Sequence, residues 1–344
     1  PHTTLLTSLS LLLGTTITIS SNHWIMAWTG LEINTLAIIP LISKSHHPRA
    51  IEATVKYFLV QAAASALLLF SSMTNAWSTG QWDITQMTCP TSCLLMTTAI
   101  AMKLGLAPFH FWLPEVLQGT SLITALLLST LMKLPPLTLL LLTSHSLNHT
   151  LLTTMAISST AIGGWMGLNQ TQTRKILAFS SISHLGWMVA IILYHPKLAL
   201  LTFYLYTLLT TTVFLTLNTT STLNLQTMMI TWTKAPMLNT TLMLVLLSLA
   251  GLPPLTGFLP KWLILQELTN QGLAPTATTI AMLSFLGLFF YLRLAYYSTI
   301  TLPPNSSTHM KQWHANNPMN PNIAPLTSMS ILLLPLSPMI LASL

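Results

Sequence analysis

The sequence has few charged residues and few cysteines. Among 344 residues, 12 are Lys or Arg and 5 are Asp or Glu, too few ionisable side chains to cover a water-soluble globule of this size. Two cysteines, Cys89 and Cys93, cannot build a disulfide framework or supply the four thiolates of an iron–sulfur cluster. Neither a Gly-rich phosphate loop nor a serine triad is recognisable. These absences exclude a soluble enzyme domain, and they indicate that any redox or nucleotide chemistry belongs to other chains.

The sequence consists largely of long apolar runs. The sequence is 52% hydrophobic with a mean hydropathy of +0.66, and a helix crosses a bilayer with ~20 mainly apolar residues. Dividing the runs at polar, proline and glycine clusters predicts an all-α integral membrane protein of about eleven transmembrane helices, one domain over 1–344. The predicted spans are 2–20, 24–43, 54–75, 91–119, 121–143, 150–168, 175–194, 198–218, 237–268, 275–297 and 323–343.

The basic residues predict an orientation. They account for a net charge of +7, but they lie singly or in pairs between spans, so they form no nucleic-acid patch. Eleven crossings place eight on one side: Lys44, Arg49, Lys56, Arg174, Lys175, Lys234, Arg293 and Lys311. Only Lys197 lies opposite. The positive-inside rule then puts the N-terminus on the matrix or cytoplasmic side and the C-terminus on the other.

Four charged residues fall inside predicted spans: Glu32, Lys103, Lys133 and Lys261. A charge at the centre of a membrane helix costs ~2.5–3.5 kcal/mol on insertion scales, so such residues usually face a cavity or a partner. The alternative for the lysines is an interfacial position, with the ammonium reaching the headgroups. Low-dielectric surroundings also disfavour the charged form of lysine, which favours proton exchange.

An internal repeat supports a transport path. Residues 104–115 (LGLAPFHFWLPE) align without gaps with 250–261 (AGLPPLTGFLPK), and a glycine and two prolines match in register. Proline removes a backbone donor, so both spans are predicted to break there, and broken backbone at membrane depth is tolerated where it lines a cavity. The copies lie in the fourth and ninth spans, so the repeat is predicted to be inverted, with halves of roughly 1–143 and 150–297 and a C-terminal helix at 323–343.

The pattern resembles the antiporter-like, proton-translocating membrane subunits of respiratory complex I, NADH:ubiquinone oxidoreductase. The segments that carry the resemblance are WTGLEINTLAIIP at 28–40, KYFLVQAAAS at 56–65, KLGLAPFHFWLPEVLQG at 103–119, SSISHLGWM at 180–188 and LAGLPPLTGFLPKW at 249–262. The composition, rich in Thr, Leu and Met and poor in charge, is similar to that of vertebrate mitochondrial gene products. The resemblance implies a place in the mitochondrial inner membrane and proton translocation coupled to NADH oxidation and ubiquinone reduction.

The resemblance also implies roles for individual residues. Glu32 faces Lys103 and modulates its affinity for a proton, Lys133 is the central lysine, and Lys261 leads toward the outlet. His110 and His184 are implied to bridge these stations with water, whereas a packed core histidine is the alternative.

Cofactors and partners follow from the same resemblance. It implies no cofactor or metal in this chain, with FMN, iron–sulfur clusters, NADH and ubiquinone on other subunits. The implied partners are the other complex I subunits, especially neighbouring antiporter-like and small membrane subunits, and phospholipids including cardiolipin. An independent cation/proton antiporter and a purely structural membrane subunit stay open as alternatives.

The remaining acidic residues are less informative. Glu115 follows Pro114 and is either a channel carboxylate or a partner for free N–H groups at a helix start. Glu267 is expected at a helix boundary, and Glu52 and Asp83 are expected in loops.

Overall fold

A computed structural model describes residues 2–44, 46–299 and 322–337, and the regular elements in these ranges are helices. They are α1 His2–Ser20, α2 Trp24–Ser43, α3 Pro48–Thr79, α4 Pro90–Leu104, α5 Trp112–Gly119, α6 Leu122–Ser129, α7 Leu134–Leu142, α8 His149–Gly167, α9 Thr173–Ile192, α10 Pro196–Thr220, α11 Leu225–Lys234, α12 Pro236–Ala250, α13 Phe258–Asn270, α14 Ala274–Thr299 and α15 Ile323–Leu332. Short 3₁₀ turns occupy Leu131–Lys133, Ser144–Ser146 and Leu334–Leu336.

The chain forms two compact units. The first comprises Pro1–Ser159 and Ile192–Pro196, and the second comprises Thr160–Ile191 and Lys197–Leu344. The boundary falls within α8. Each unit contains one copy of the proline-rich repeat, so each can be described as a site of its own.

The helices have the composition of membrane spans. Within the described ranges, six stretches are long and apolar enough to cross a bilayer: Trp24–Ser43, Pro48–Thr79, Leu122–Leu142, Thr173–Ile192, Pro196–Thr220 and Ala274–Thr299. Large apolar side chains are exposed on α1 and α14, among them Leu6, Leu9, Met282 and Phe285. Polar and charged side chains, in contrast, are found in the interior. The all-helical membrane class predicted from the sequence is therefore confirmed, while the count of eleven crossings stays a prediction.

Three details differ from the sequence prediction. A short helix, α11, occupies a region predicted as a loop; Asn224 and Thr227 form a capping box at its start, and ten residues are too few to cross a bilayer. The third helix begins at Pro48 rather than at 54, so Glu52 is helical and its assignment to a loop is wrong. Of the predicted C-terminal helix, 323–332 is helical and 338–343 lies outside the described residues, as does Lys311.

Close packing of α1 on α2 fixes the helix that carries Glu32. A Cβ atom at Gly30 would lie 2.6 Å from Thr18 Cγ2, and one at Gly14 would overlap the Asn34 side chain. Small residues let helix backbones approach closely in membranes, where hydrophobic association between helices is weak. Glycines on both helices therefore set the position of α2 against its neighbour.

Candidate functional site

The first helix break lies between α4 and α5. α4 ends at Leu104, and helix resumes at Trp112. Gly105 has a left-handed backbone with φ 77°, and its N–H donates to two carbonyls in the last turn of α4 at 2.9 and 3.3 Å. A side chain would strain this conformation, so glycine ends the helix here, and Pro108 cannot resume the hydrogen-bond ladder.

Lys103 lies in the last turn of α4, beside this break. It is 6% exposed, and its Nζ is buried without a hydrogen-bond acceptor among the described residues. Glu32 on α2 is half-buried, and its Oε2 is buried without a donor there. The two side chains are close enough to interact electrostatically. Because an isolated buried charge is costly, each group offsets part of the cost of burying the other.

Lys133 closes a 3₁₀ turn between α6 and α7. Pro135 and Pro136 have no N–H to donate to the carbonyls four residues earlier, so the α-helical ladder is interrupted at this level. Lys133 is 3% exposed. A lysine at an interrupted helix is thus held inside the first unit and not at its surface.

One cavity joins Lys103 and Lys133. It has an open volume of ≈ 390 Å³ including its mouth, and both lysines line it. Its polar wall is completed by Asn34, Thr35, Tyr57 and Gln61. A buried water needs two to four polar partners, which these side chains supply, and the enclosed part of the cavity has room for about one water molecule. Such a compartment can pass protons between the two lysines.

The wall residues on α3 were missed by sequence reasoning. Tyr57, Gln61 and Ser65 recur every four residues and are all at most 5% exposed, so they form a buried polar stripe along an apolar helix. Gln61 Nε2 donates to Lys103 O at 3.5 Å. The signal was present in the segment KYFLVQAAAS, as polar residues at helical spacing within a span.

The second break lies between α12 and α13. α12 ends at Ala250, Gly251 has φ 81°, and helix resumes at Phe258. Lys261 lies in the first turn of α13 and reaches back, so that its Nζ donates to Ala250 O at 2.8 Å. Its Nζ also lies 5.9 Å from the centroid of the Trp187 ring. A cation at the C-terminal end of a helix meets its free carbonyls, and an aromatic face adds attraction.

A second cavity brings Lys261 and His184 together. Both line a cavity with an open volume of ≈ 390 Å³ in the second unit, together with Trp187, Thr202 and Tyr206. The rings of His184 and Tyr206 are 5.4 Å apart. The cavity is mostly apolar, so its few polar groups are the stations available to a proton.

The other candidate residues lie elsewhere. His110 is 2% exposed in the segment that breaks the first helix, with its ring 4.2 Å from that of Phe111, and it does not line the cavity of Lys103. Glu115 lies in the first turn of α5 and is exposed, 2.6 Å from Lys56 Nζ. Glu267 accepts a hydrogen bond from Gln271 at 3.0 Å near the end of α13. The structure thus separates these side chains from the lysine-lined cavities.

Two helices broken at glycine–proline segments, one with a buried and one with a half-buried lysine beside the break, define the class of antiporter-like membrane proteins. A family model described as "NADH:quinone oxidoreductase/Mrp antiporter, TM" matches residues 21–287, and one described as "NADH dehydrogenase subunit 2 C-terminus" matches 288–341.

Named relatives match over the whole chain. NADH-ubiquinone oxidoreductase chain 2 of Struthio camelus is 77% identical over 344 residues, covering 100% of this chain and 99% of the relative. The protein of the same name from Gallus gallus is 74% identical with the same coverage. The chain therefore belongs to the NADH:quinone oxidoreductase/Mrp antiporter family of membrane subunits, in the chain 2 branch of NADH-ubiquinone oxidoreductase.

Solved structures support the fold. A chain of respiratory complex I from Thermus thermophilus superposes with a TM-score of 0.88 at 24% identity, covering 99% of this chain and 80% of that one. A chain of the Mrp complex from Dietzia superposes with a TM-score of 0.79 at 18% identity, covering 86% of this chain and 60% of that one. At these identities the likeness concerns the fold alone.

Proposed function

We propose that this chain is a membrane-arm subunit of NADH:ubiquinone oxidoreductase and carries protons across the membrane while other subunits oxidise NADH and reduce ubiquinone. The observation that carries the proposal is the pair of buried lysines, Lys103 and Lys133, that line one polar cavity beside a broken helix. A relative that is 77% identical and carries the name of this oxidoreductase supplies the reaction to which the cavity is coupled.

The lysines exchange protons in sequence. Lys103 takes up a proton under the influence of Glu32, with which it interacts electrostatically. Lys133 receives it through the shared cavity, and Lys261 leads toward the outlet in the second unit. His110 and His184 serve as secondary stations; the position of His184 in the cavity of Lys261 supports its role more directly.

The topology of the path is part of the proposal. Eleven helices cross the mitochondrial inner membrane, with the N-terminus in the matrix and the C-terminus in the intermembrane space. The halves 1–143 and 150–297 form an inverted repeat, and 323–343 adds a last helix. The left-handed glycine at the same position of both breaks supports the repeat.

Partners and cofactors follow from this place in the assembly. Neighbouring antiporter-like and small membrane subunits cover the exposed apolar helices together with lipid, and FMN, iron–sulfur clusters, NADH and ubiquinone are held by other subunits. Basic residues near helix ends, such as Arg49, Arg174 and Lys175, attract anionic headgroups, including those of cardiolipin.

An independent cation/proton antiporter is the second candidate, favoured by the wording of the family model. A cation other than a proton is typically bound by carboxylate and carbonyl oxygens. Among the described residues, Glu32 is the one acid that combines an intramembrane position with a buried carboxylate oxygen. This donor set favours proton transfer over cation binding.

Native separation of gently solubilised membranes distinguishes the two. We expect the chain to migrate in a very large assembly that oxidises NADH. Migration as a small species, under conditions that keep the oxidoreductase intact, together with ion flux through the reconstituted chain alone, would establish the antiporter instead.

A further inference from the structure

An exposed lysine ties the first helix break to α3. Lys56 Nζ lies 2.6 Å from Glu115 Oε2 on α5 and 2.5 Å from Glu52 Oε1, four residues earlier on its own helix. The contact with Glu52 stays within α3, but the contact with Glu115 joins two helices. Lys56 thus holds the first turn of the segment that follows the break.

Two further contacts lie on either side of this ion pair. The Tyr57 ring meets the Trp112 ring edge-on, with centroids 5.7 Å apart and an interplanar angle of 62°. At the other end of α5, a Cβ atom at Gly119 would lie 2.6 Å from Ala53 Cβ, so the backbones approach closely there. Residues about one turn apart therefore fasten α5 to α3 along its whole length.

The fastened helix reaches back to the lysine site. Trp112 Nε1 donates to Met102 O at 3.1 Å, in the last turn of α4 and next to Lys103. Met102 O also accepts the 3.3 Å bond from Gly105 N–H, so the indole adds a second donor that holds the end of α4 from outside the helix. The position of Trp112, and with it the end of α4, depends on how α5 lies on α3.

In the second repeat, a different side chain binds the end of the helix before the break. Lys261 on α13 aligns with Glu115 and itself binds the end of the preceding helix, α12, at Ala250 O. Phe258 aligns with Trp112 and has no side-chain N–H to donate. In the first copy, the Trp112 indole binds the helix end as Lys261 does in the second. Glu115, which aligns with Lys261, pairs with Lys56 instead.

We propose that Lys56 and Glu115 are positioning residues for proton transfer by Lys103, acting through Trp112 on the end of α4. The proposal rests on the proposed function of Lys103. An exposed ion pair contributes modestly, so its loss should lower transfer and not abolish it.

The test uses the assembled oxidoreductase in membrane vesicles, with protons moved per NADH oxidised as the readout. Lys56→Gln and Glu115→Gln should each lower this ratio about two- to fivefold. The double variant should be no worse than either single one, because the residues act as a pair. Lys56→Arg keeps the positive charge and should keep the ratio of the unmodified complex. Glu52→Gln removes a contact within α3 and leaves the contact with α5 in place, so its ratio should also be that of the unmodified complex.

A second variant tests the link through the indole. Trp112→Phe keeps a ring against Tyr57 and removes the N–H; it should lower the ratio while assembly, measured as NADH-oxidising complex, is preserved. Unchanged ratios for Lys56→Gln, Glu115→Gln and Trp112→Phe, or an equal loss in Glu52→Gln, would overturn the proposal. Lys103→Met is measured alongside. If the ratio is unchanged in Lys103→Met as well, the proposed function fails. If the ratio falls in Lys103→Met but not in the positioning variants, only the present inference is rejected.

Discussion

The two helix breaks have the same backbone conformation at their first glycine and differ in the position and contacts of their lysine. Both end the first helix with a left-handed glycine, Gly105 in one copy and Gly251 in the other. In the first, Lys103 precedes the break, and its buried Nζ has no acceptor among the described residues. In the second, Lys261 follows the break and is held by Ala250 O and the Trp187 ring.

This difference indicates that the two lysines have different roles. Lys103 has Glu32 close enough for electrostatic interaction and no hydrogen-bond acceptor among the described residues, so the carboxylate is the group that offsets its burial there. An ammonium that binds a helix end is already compensated and also stabilises the break. The same local fold therefore gives one lysine suited to exchange and one that combines exchange with structure.

The largest expected effect comes from Gly257, which aligns with Phe111. A Cβ atom at Gly257 would fall on the carbonyl group of Ser248, so Gly257→Ala must displace backbone and should prevent assembly of the oxidoreductase. Phe111→Ala is the matched variant, because this side chain is 65% exposed and its loss should change stability by at most about 0.5 kcal/mol. The amount of assembled complex on native gels measures both. Normal assembly of Gly257→Ala would show that the second break is looser than described.

The two left-handed glycines give the next effect. Alanine at Gly105 or Gly251 should cost about 1–2 kcal/mol through backbone strain alone. At Gly251 the added Cβ would also lie 2.8–3.1 Å from the Lys261 side chain and push its ammonium off Ala250 O, whereas at Gly105 the nearest atom is Leu113 Cδ1 at 3.1 Å. Gly251→Ala should therefore lower protons moved per NADH more than Gly105→Ala, at a similar loss of thermal stability. Equal ratios would mean that Lys261 does not need this contact.

The smallest effect concerns the ring beside Lys261. Trp187→Phe keeps an aromatic ring in this buried position, weakens an attraction of about 0.5–2 kcal/mol and leaves the bond to Ala250 O in place. We expect proton transfer to fall less than in Gly251→Ala, with assembly unchanged. A loss as large as that of Gly251→Ala would assign the ring, and not the helix end, as the main support of the lysine.

The sequence alone predicted the helical membrane class, both breaks and the lysines beside them, because apolar length and matched proline positions are local signals. It did not predict α11, whose ten residues lack the length of a span. It also missed Tyr57 and Gln61 as cavity walls, since the facing of a polar stripe depends on which helices pack against it. The contact of Lys56 with Glu115 joins residues 59 positions apart, so no periodicity could reveal it.

The most direct test of the account is the number of protons moved per NADH oxidised by the assembled complex with Lys103→Met, with Lys197→Gln as the control for loss of an exposed lysine. If Lys103 is the acceptor at the start of the path, the ratio should fall at least about tenfold in Lys103→Met and stay unchanged in Lys197→Gln. A normal ratio in a fully assembled Lys103→Met complex would contradict the relay.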